Sequence, residues 1–440
     1  MDQEHRNGGF RTNIGFVLAC VGSAVGMGNI WMFPYRVGQY GGAAFLIPYF
    51  IFVAIFGLVG LSAEFAIGRR AGTGTLGAYQ YCWQSRNKGR VGTVLGWIPL
   101  LGSLGIAIGY SVIVGWVIRS FADSLSGELL TADATEHFAL LSADFSSVPW
   151  HLIAVAAAVL LLMFGATRGI EKVNKILMPV FFILFALIAI RVAFLPNAIE
   201  GYQFLFVPRW EFLWKPETWI MAMGQAFFSL SITGSGMIVY GTYLKKDADI
   251  PRASVRTAVF DTIAAMLSAL VIMPAVFSFG IEPSSGPPLI FITLPNIFRQ
   301  IPFGNVFAAL FFVSVIFAGV TSLINMFEAV SESLQVKFEL PRKAAVLLCG
   351  VVAFAAGLFI EAEPKLGTWM DWISIYIVPF SALLGAVSIY YILGYKKIKP
   401  ELDCGRKKPL GRWFGILAKY IYVPLAFIVF VLGIVYGGIG

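Results

Sequence analysis

Residues 22–31 read GSAVGMGNIW, three glycines together with a serine and an asparagine. Gly22, Gly26 and Gly28 let a ligand approach the main chain, and the side-chain oxygens of Ser23 and Asn29 suit a small hard cation. Asp261, in AVFDTIAAM, is the only acidic residue of its apolar stretch. A carboxylate at membrane depth is a functional candidate by default, and a bound sodium ion is its natural partner. AGVTS at 318–322 sets the hydroxyls of Thr321 and Ser322 side by side on another apolar segment. Such hydroxyls ordinarily bond back to the preceding helical turn; beside a broken helix they suggest a second cation site. The chemistry on offer is ion binding rather than bond making. His5, His137 and His151 are the only histidines, there is no HExxH, and no nucleophile stands beside a base at membrane depth, which argues against an enzyme.

The elements that must carry these groups are membrane spans. The chain has 440 residues, 58% hydrophobic and 13% charged, with a mean hydropathy of +0.80, a balance that leaves a soluble protein no polar surface. Taking about 20 apolar residues per crossing, spans are predicted near 13–36, 41–68, 93–120, 148–166, 173–195, 217–244, 254–281, 302–335, 342–360, 369–394 and 413–437. The expected fold is an all-α polytopic membrane protein of eleven spans, one transmembrane domain over 1–440 with no separate soluble domain. The first hydrophobic segment is too long for a signal peptide and reads as a retained span.

Basic residues follow the second span (Arg69, Arg70, Arg86, Lys88, Arg90), the sixth (Lys245, Lys246, Arg252, Arg256) and the tenth (Lys396, Lys397, Lys399, Arg406, Lys407, Lys408, Arg412), whereas 122–147 carries Asp123, Glu128, Asp133, Glu136 and Asp144 without a lysine or arginine. This asymmetry predicts a multi-pass protein of the cell inner (plasma) membrane with its amino terminus cytoplasmic; an odd span count leaves the carboxyl terminus outside. The net charge of +8 follows from those loops and needs no nucleic-acid partner. Cys20, Cys82, Cys349 and Cys404 are scattered singly and suggest neither a disulfide framework nor a zinc site.

The first span is weakest at its centre, GSAVGMGN, and so is the sixth, where 229–236 read SLSITGSG. Each alone is compatible with close helix packing. Together they open two five-span halves at corresponding positions, 13–195 and 217–394, with 413–437 as an extra eleventh span. That is the pattern of a five-plus-five inverted-repeat secondary transporter with broken helices 1 and 6. Unwinding a helix in a membrane strands carbonyls and amides; a cation takes the former, and an anionic group takes the latter at a half-helix amino terminus.

GSAVGMGNIWMFPY, the following GGAAFLIPY, GQAFFSLS at 224–231 and FAGVTS at 317–322 resemble the neurotransmitter:sodium symporter family, most closely its bacterial amino-acid branch. The resemblance implies a first sodium site at Ala24, Asn29, Ser229 and Asp261, and a second at Gly22, Val25, Ala318, Thr321 and Ser322. It implies a substrate pocket of Ala24, Met27 and Gly28 from span one and Ile106 and Tyr110 from span three. Phe228, Ser231, Thr233 and Gly234 from span six, with Ser322 and Met326 from span eight, complete it. Tyr110 would bond the substrate carboxylate and Phe228 would close over it. Amine carriers of the family place an aspartate where Gly26 stands, so glycine favours amino acids. Asp261 supplies the negative charge that chloride supplies in chloride-dependent members, which implies chloride independence. Gly234, where the family's leucine carrier has a bulky aromatic, suggests a roomier pocket for larger hydrophobic or aromatic side chains.

Two gates depart from the family pattern. The outer-gate arginine position is Met32, while its aspartate partner is present as Asp371, so a rewired pair of Arg36 with Asp371 is expected. The inner-gate aspartate position is Val336, leaving Glu328 or Glu332 with Arg6 or Arg11 as candidates. The resemblance implies sodium-coupled symport of a hydrophobic or aromatic amino acid, with sodium as coupling ion, no other cofactor, and the lipid bilayer as surroundings. The competing readings are sodium-dependent transport of another small molecule such as an amine, and a non-transporting membrane sensor.

Overall fold

The computed structural model describes residues 9–280 and 287–439, and among them all regular structure is helical. The first predicted span is two helices, α1 (Asn13–Ala24) and α2 (Gly28–Gln39), meeting at 63°. Then follow α3 (Ala43–Ala71), α4 (Thr75–Gln84), α5 (Gly89–Ser126), α6 (Val148–Met163), α7 (Gly169–Ala193) and α8 (Ala198–Phe206). The second half holds α9 (Pro216–Ser229), α10 (Gly236–Thr242), α11 (Ile250–Ser278), α12 (Leu289–Arg299), α13 (Gly304–Phe338), α14 (Arg342–Ile360), α15 (Glu363–Asp403) and α16 (Arg412–Val435).

Eight of the helices are long and apolar enough to cross a membrane, nine with the bent α1–α2 pair counted as one. The other two predicted spans are shorter pieces. α6 is an apolar helix of 16 residues, and 217–244 divides into α9 and α10 with 230–235 unwound between them. Four stretches expected to be loops contain helices: α4, the short helices Glu128–Thr131 and Ala134–Leu141 within 122–147, α8 and α12. Each is too short or too mixed in polarity to register as a span, and tertiary packing stabilises it instead. The tenth span also runs further than expected, so Lys396, Lys397 and Lys399 sit on the end of α15 rather than in a loop. Arg69 is no solvated loop charge either: its side chain is 3% exposed, pairs with Glu401, and donates to the carbonyls of Lys245 (2.9 Å) and Ala248 (2.7 Å).

Glycines decide which helices approach closely. A methyl group on Gly102 would lie 3.2 Å from Ile377, on Gly105 2.7 Å from Ile373, and on Gly109 2.5 Å from Met370. The partner numbers fall as the glycine numbers rise, so α5 and α15 run antiparallel with their backbones close, as small residues permit in a membrane bundle. Within the most apolar stretch of α5, 83% of the residues are buried, against 28% for α7, so α5 is the central post and α7 largely faces outward. α1 stands among α7, α11 and α13. Its amino terminus is capped by the Thr12 hydroxyl, which accepts from Gly15 N at 3.0 Å, and Glu171 of α7 accepts from Arg11 N at 2.6 Å, a carboxylate placed where the helix dipole favours one.

Candidate functional site

The two helix breaks face each other, and side chains from neighbouring helices satisfy the backbone groups they free. After Ala24 the chain turns through Val25, which is extended at φ −68° and ψ 113°. The Ser322 hydroxyl of α13 lies 3.0 Å from the Val25 carbonyl and 3.3 Å from those of Gly22 and Ser23. Ser231 donates to Ser23 O at 3.2 Å, and Gln225 to Gly28 O at 3.0 Å. Met27 N donates to the Tyr110 hydroxyl at 3.1 Å. In the other break, Gly234 N donates to Glu64 Oε1 at 2.8 Å. Unwound backbone at this depth persists because every one of these groups has a partner.

A cavity of about 300 Å³ opens between the breaks. Ten of the eleven expected substrate residues line it: Ala24, Met27, Gly28, Ile106, Tyr110, Phe228, Ser231, Thr233, Ser322 and Met326. Phe228 packs on Gly28, where a Cβ would lie 3.1 Å from the ring. The eleventh, Gly234, does not face the cavity, which corrects the expectation that it widens the pocket. With φ at +70°, its Cβ direction points at Ser381 O (2.6 Å) and the Tyr79 hydroxyl (2.7 Å), away from the substrate space. Ser103, Asn325, Met370 and Ser374 also line the cavity, which reaches Gly367 and Asp371 near the start of α15.

The residues expected at the first cation site converge behind the cavity. Asn29, Ser229 and Asp261 are all buried. Asn29 Nδ2 donates to Asp261 Oδ1 at 2.8 Å and to Ser229 Oγ at 3.1 Å, and Ser229 Oγ donates to Asp261 Oδ2 at 2.6 Å. Asn29 Oδ1 in turn accepts from Gly26 N at 3.1 Å. Ala24 ends α1 and lines the cavity together with Ser229. The five residues expected at the second site also gather, between α1 and α13. Ser322 reaches Gly22 and Val25 as above, while Thr321 donates to its own helix at Phe317 O (2.8 Å) and Ala318 O (3.1 Å). Both clusters offer only oxygen to an ion, the donor type of hard cations.

The expected outer gate is not formed. Arg36 reaches Met221 of α9 through its guanidinium, and no ion pair joins it to Asp371 among the described residues. One helical turn carries Arg36 past the cavity mouth and onto the flank of α9, whereas Asp371 stays exposed at the mouth. At the opposite end the closing contacts use a partner that sequence reasoning missed. Glu328 is fully buried and held by Arg342 of α14 through two bonds of 3.0 and 2.6 Å, with the Tyr243 hydroxyl as third donor. Glu332 accepts from Gly74 N at 2.8 Å. Arg11 contributes its backbone N–H to Glu171, and Arg6 lies outside the described residues. Phe10 plugs this end, edge-on to Tyr240 and Tyr243 with centroids at 5.9 and 5.7 Å.

Comparison with known proteins identifies the family and the fold. The model of the sodium:neurotransmitter symporter family matches residues 7–143 and 141–437. An uncharacterized sodium-dependent transporter of Bacillus subtilis, YhdH, is 34% identical over 444 residues, covering 96% of this chain and 97% of that one. One from Haemophilus influenzae is 33% identical over 343 residues, covering 76% and 75%. Among solved structures, MhsT in complex with L-phenylalanine superimposes with a TM-score of 0.86 at 31% identity, covering 97% of this chain and all of that one. The chain belongs to the sodium:neurotransmitter symporter family and is a sodium-dependent membrane transporter.

Proposed function

We propose that the protein is a chloride-independent, sodium-coupled symporter that carries a hydrophobic or aromatic amino acid into the cell by alternating access. The observation that carries this reading is Gly26. A Cβ there would lie 2.6 Å from the Tyr110 hydroxyl and 3.0 Å from Ser322 Oγ, so a side-chain carboxylate to meet an amine has no room. The negative group arrives with the substrate, and the open amino terminus of α2 beside the Tyr110 hydroxyl suits a carboxylate. The rest of the substrate meets Ile106, Phe228 and Met326, an apolar lining in keeping with the phenylalanine held by MhsT.

In this reading, one sodium ion binds at Ala24, Asn29, Ser229 and Asp261, bridging to the substrate carboxylate. The Asn29 amide turns over so that Oδ1 rather than Nδ2 faces the ion, an exchange that gives up its present bonds to Gly26 N, Ser229 and Asp261. Asp261 provides the fixed charge and removes the need for chloride. A second ion binds between α1 and α13 at Gly22, Val25, Ala318, Thr321 and Ser322. Substrate and the first ion each raise the other's affinity by the same factor. The eleven spans form two inverted five-span repeats plus one, with the amino terminus cytoplasmic and the carboxyl terminus outside.

The test is uptake of labelled phenylalanine, tryptophan, leucine and tyrosine into proteoliposomes under an inward sodium gradient, with potassium replacing sodium in the control and gluconate replacing chloride. Accumulation that needs sodium and ignores chloride supports the reading. Sodium-dependent binding without accumulation points to a sensor, and no accumulation of any of the four to another substrate class.

A further inference from the structure

Asn174 of α7 is wholly buried, and its two polar atoms are treated unequally. Nδ2 donates to Ile170 O, one turn back, at 2.8 Å, while Oδ1 has no hydrogen-bond partner. The assignment of the two atoms is fixed by that bond, because the reverse orientation would press two carbonyl oxygens together. The unpartnered oxygen points at α1. A methyl group on Gly22 would overlap Asn174 Oδ1 and lie 3.1 Å from Thr321 Cβ, so the oxygen sits where α1, α7 and α13 meet.

The nearby hydrogens are already committed. Thr321 gives its hydroxyl proton to the α13 backbone, and Ser322 directs its own at the carbonyls of Gly22, Ser23 and Val25. A buried carbonyl oxygen without a donor loses its hydration for nothing. What this corner lacks is positive charge.

We propose that Asn174 contributes its side-chain oxygen to the sodium ion held between α1 and α13, so that the ion's surroundings come from three helices rather than two; this rests on the reading of that gap as a sodium site. The two atoms of Asn174 then have separate work: Nδ2 secures the first turn of α7, and Oδ1 faces the ion. Gly22 is required by the same arrangement, since any side chain there would displace the oxygen. Asn174 thereby links α7 to occupancy of the gap, beside the contact that Glu171 of the same helix makes with the start of α1.

Two substitutions separate the roles. Asn174→Ala removes both atoms, whereas Asn174→Asp keeps an oxygen towards Gly22 and loses the donor to Ile170. The measurement is the thermal unfolding midpoint of the purified full-length protein, titrated with sodium chloride against potassium chloride at constant ionic strength. Direct competition of unlabelled against labelled sodium on the same samples gives a second readout. The half-effective sodium concentration is expected to rise roughly tenfold in Asn174→Ala and to fall below wild type in Asn174→Asp. If both variants keep the wild-type sodium midpoint while melting lower in potassium, Asn174 only caps α7 and the inference is overturned. Should Asn174→Ala fail to fold, an unchanged sodium midpoint in Asn174→Asp overturns it alone. A wild-type protein indifferent to sodium would instead overturn the site reading, and this inference with it.

Discussion

Replacing Asp261 by asparagine removes one negative charge while keeping the shape of the side chain. Asp261 is fully buried, and its two oxygens accept from Asn29 Nδ2 at 2.8 Å and Ser229 Oγ at 2.6 Å. An ion about 4 Å from that charge gains about 4 kcal/mol at an effective dielectric of about 20, close to a thousandfold in sodium affinity. A further cost arises because one carboxylate oxygen becomes an NH2 facing a donor, a mismatch of about 1–3 kcal/mol before Ser229 or Asn29 reorients. In proteoliposomes without chloride, Asp261→Asn should therefore shift the sodium concentration for half-maximal uptake upward by at least tenfold. Adding chloride should recover part of the loss, since a mobile anion can occupy the space beside the ion. Uptake with the wild-type sodium midpoint in chloride-free buffer would refute the role of Asp261 as fixed charge.

Gly26→Ala places a methyl 2.6 Å from the Tyr110 hydroxyl and should cost about 1–3 kcal/mol of substrate binding through overpacking; equilibrium binding of labelled amino acid reads this out, and wild-type affinity would count against the crowded geometry. Glu328→Gln breaks the pair with Arg342 and should lower the melting temperature while exposing a cysteine placed at Phe10 to a thiol reagent added on that side of the membrane; equal labelling in both proteins would remove Glu328 from the closure at this end. Gly234→Phe should abolish folding, seen as loss of a monodisperse peak in size-exclusion chromatography, because Ser381 and Tyr79 occupy the space; a folded variant with narrowed substrate range would restore the roomier-pocket idea. Arg36→Ala and Asp371→Ala should have additive effects on uptake, within about 0.5 kcal/mol, since the two side chains point to different places; strong coupling would reinstate the rewired gate.

Breaks and charges were legible in the sequence because they violate the rules of a membrane span. Glycines at 22, 26 and 28 and a lone Asp261 stand out against apolar surroundings. The direction of a side chain in unwound backbone was not legible. Gly234 and Ser231 both adopt positive φ, yet only Ser231 faces the cavity, and that depends on how 230–235 pack against α15. Asn174 escaped notice for a different reason: between Lys172 and Lys175 it reads as a headgroup residue at the edge of a span, and only the crossing of α1 over α7 buries it. The Glu328–Arg342 pair spans 14 residues and a change of helix, beyond any helical periodicity. Arg36 was misassigned because sequence distance along a helix fixes a face but not which neighbour that face meets.

The broken helices are held open by the protein itself. Ser322 meets three carbonyls of the first break, Gln225 meets Gly28, the Tyr110 hydroxyl meets Met27 N, and Glu64 meets Gly234 N. In the proposed mechanism an ion arriving at the first site replaces bonds that already exist, so its net gain is the difference between two satisfied states, whereas the second site keeps one unsatisfied oxygen, Asn174 Oδ1, for its ion. This limits affinity, which a carrier needs, because a site that collapsed without its ion would release it too slowly to turn over. It also explains why hydroxyls and amides rather than carboxylates dominate both clusters: a hydroxyl can point its proton at a carbonyl when the ion is away and its lone pairs at the ion when it is present. Asp261 is the exception, and in the absence of the ion it is the group that Asn29 and Ser229 turn their protons towards. In the proposed mechanism, coupling between ion and substrate then follows from a single reorientation, because the Asn29 amide that turns to accept the ion also holds Gly26 N, at the corner proposed for the substrate carboxylate.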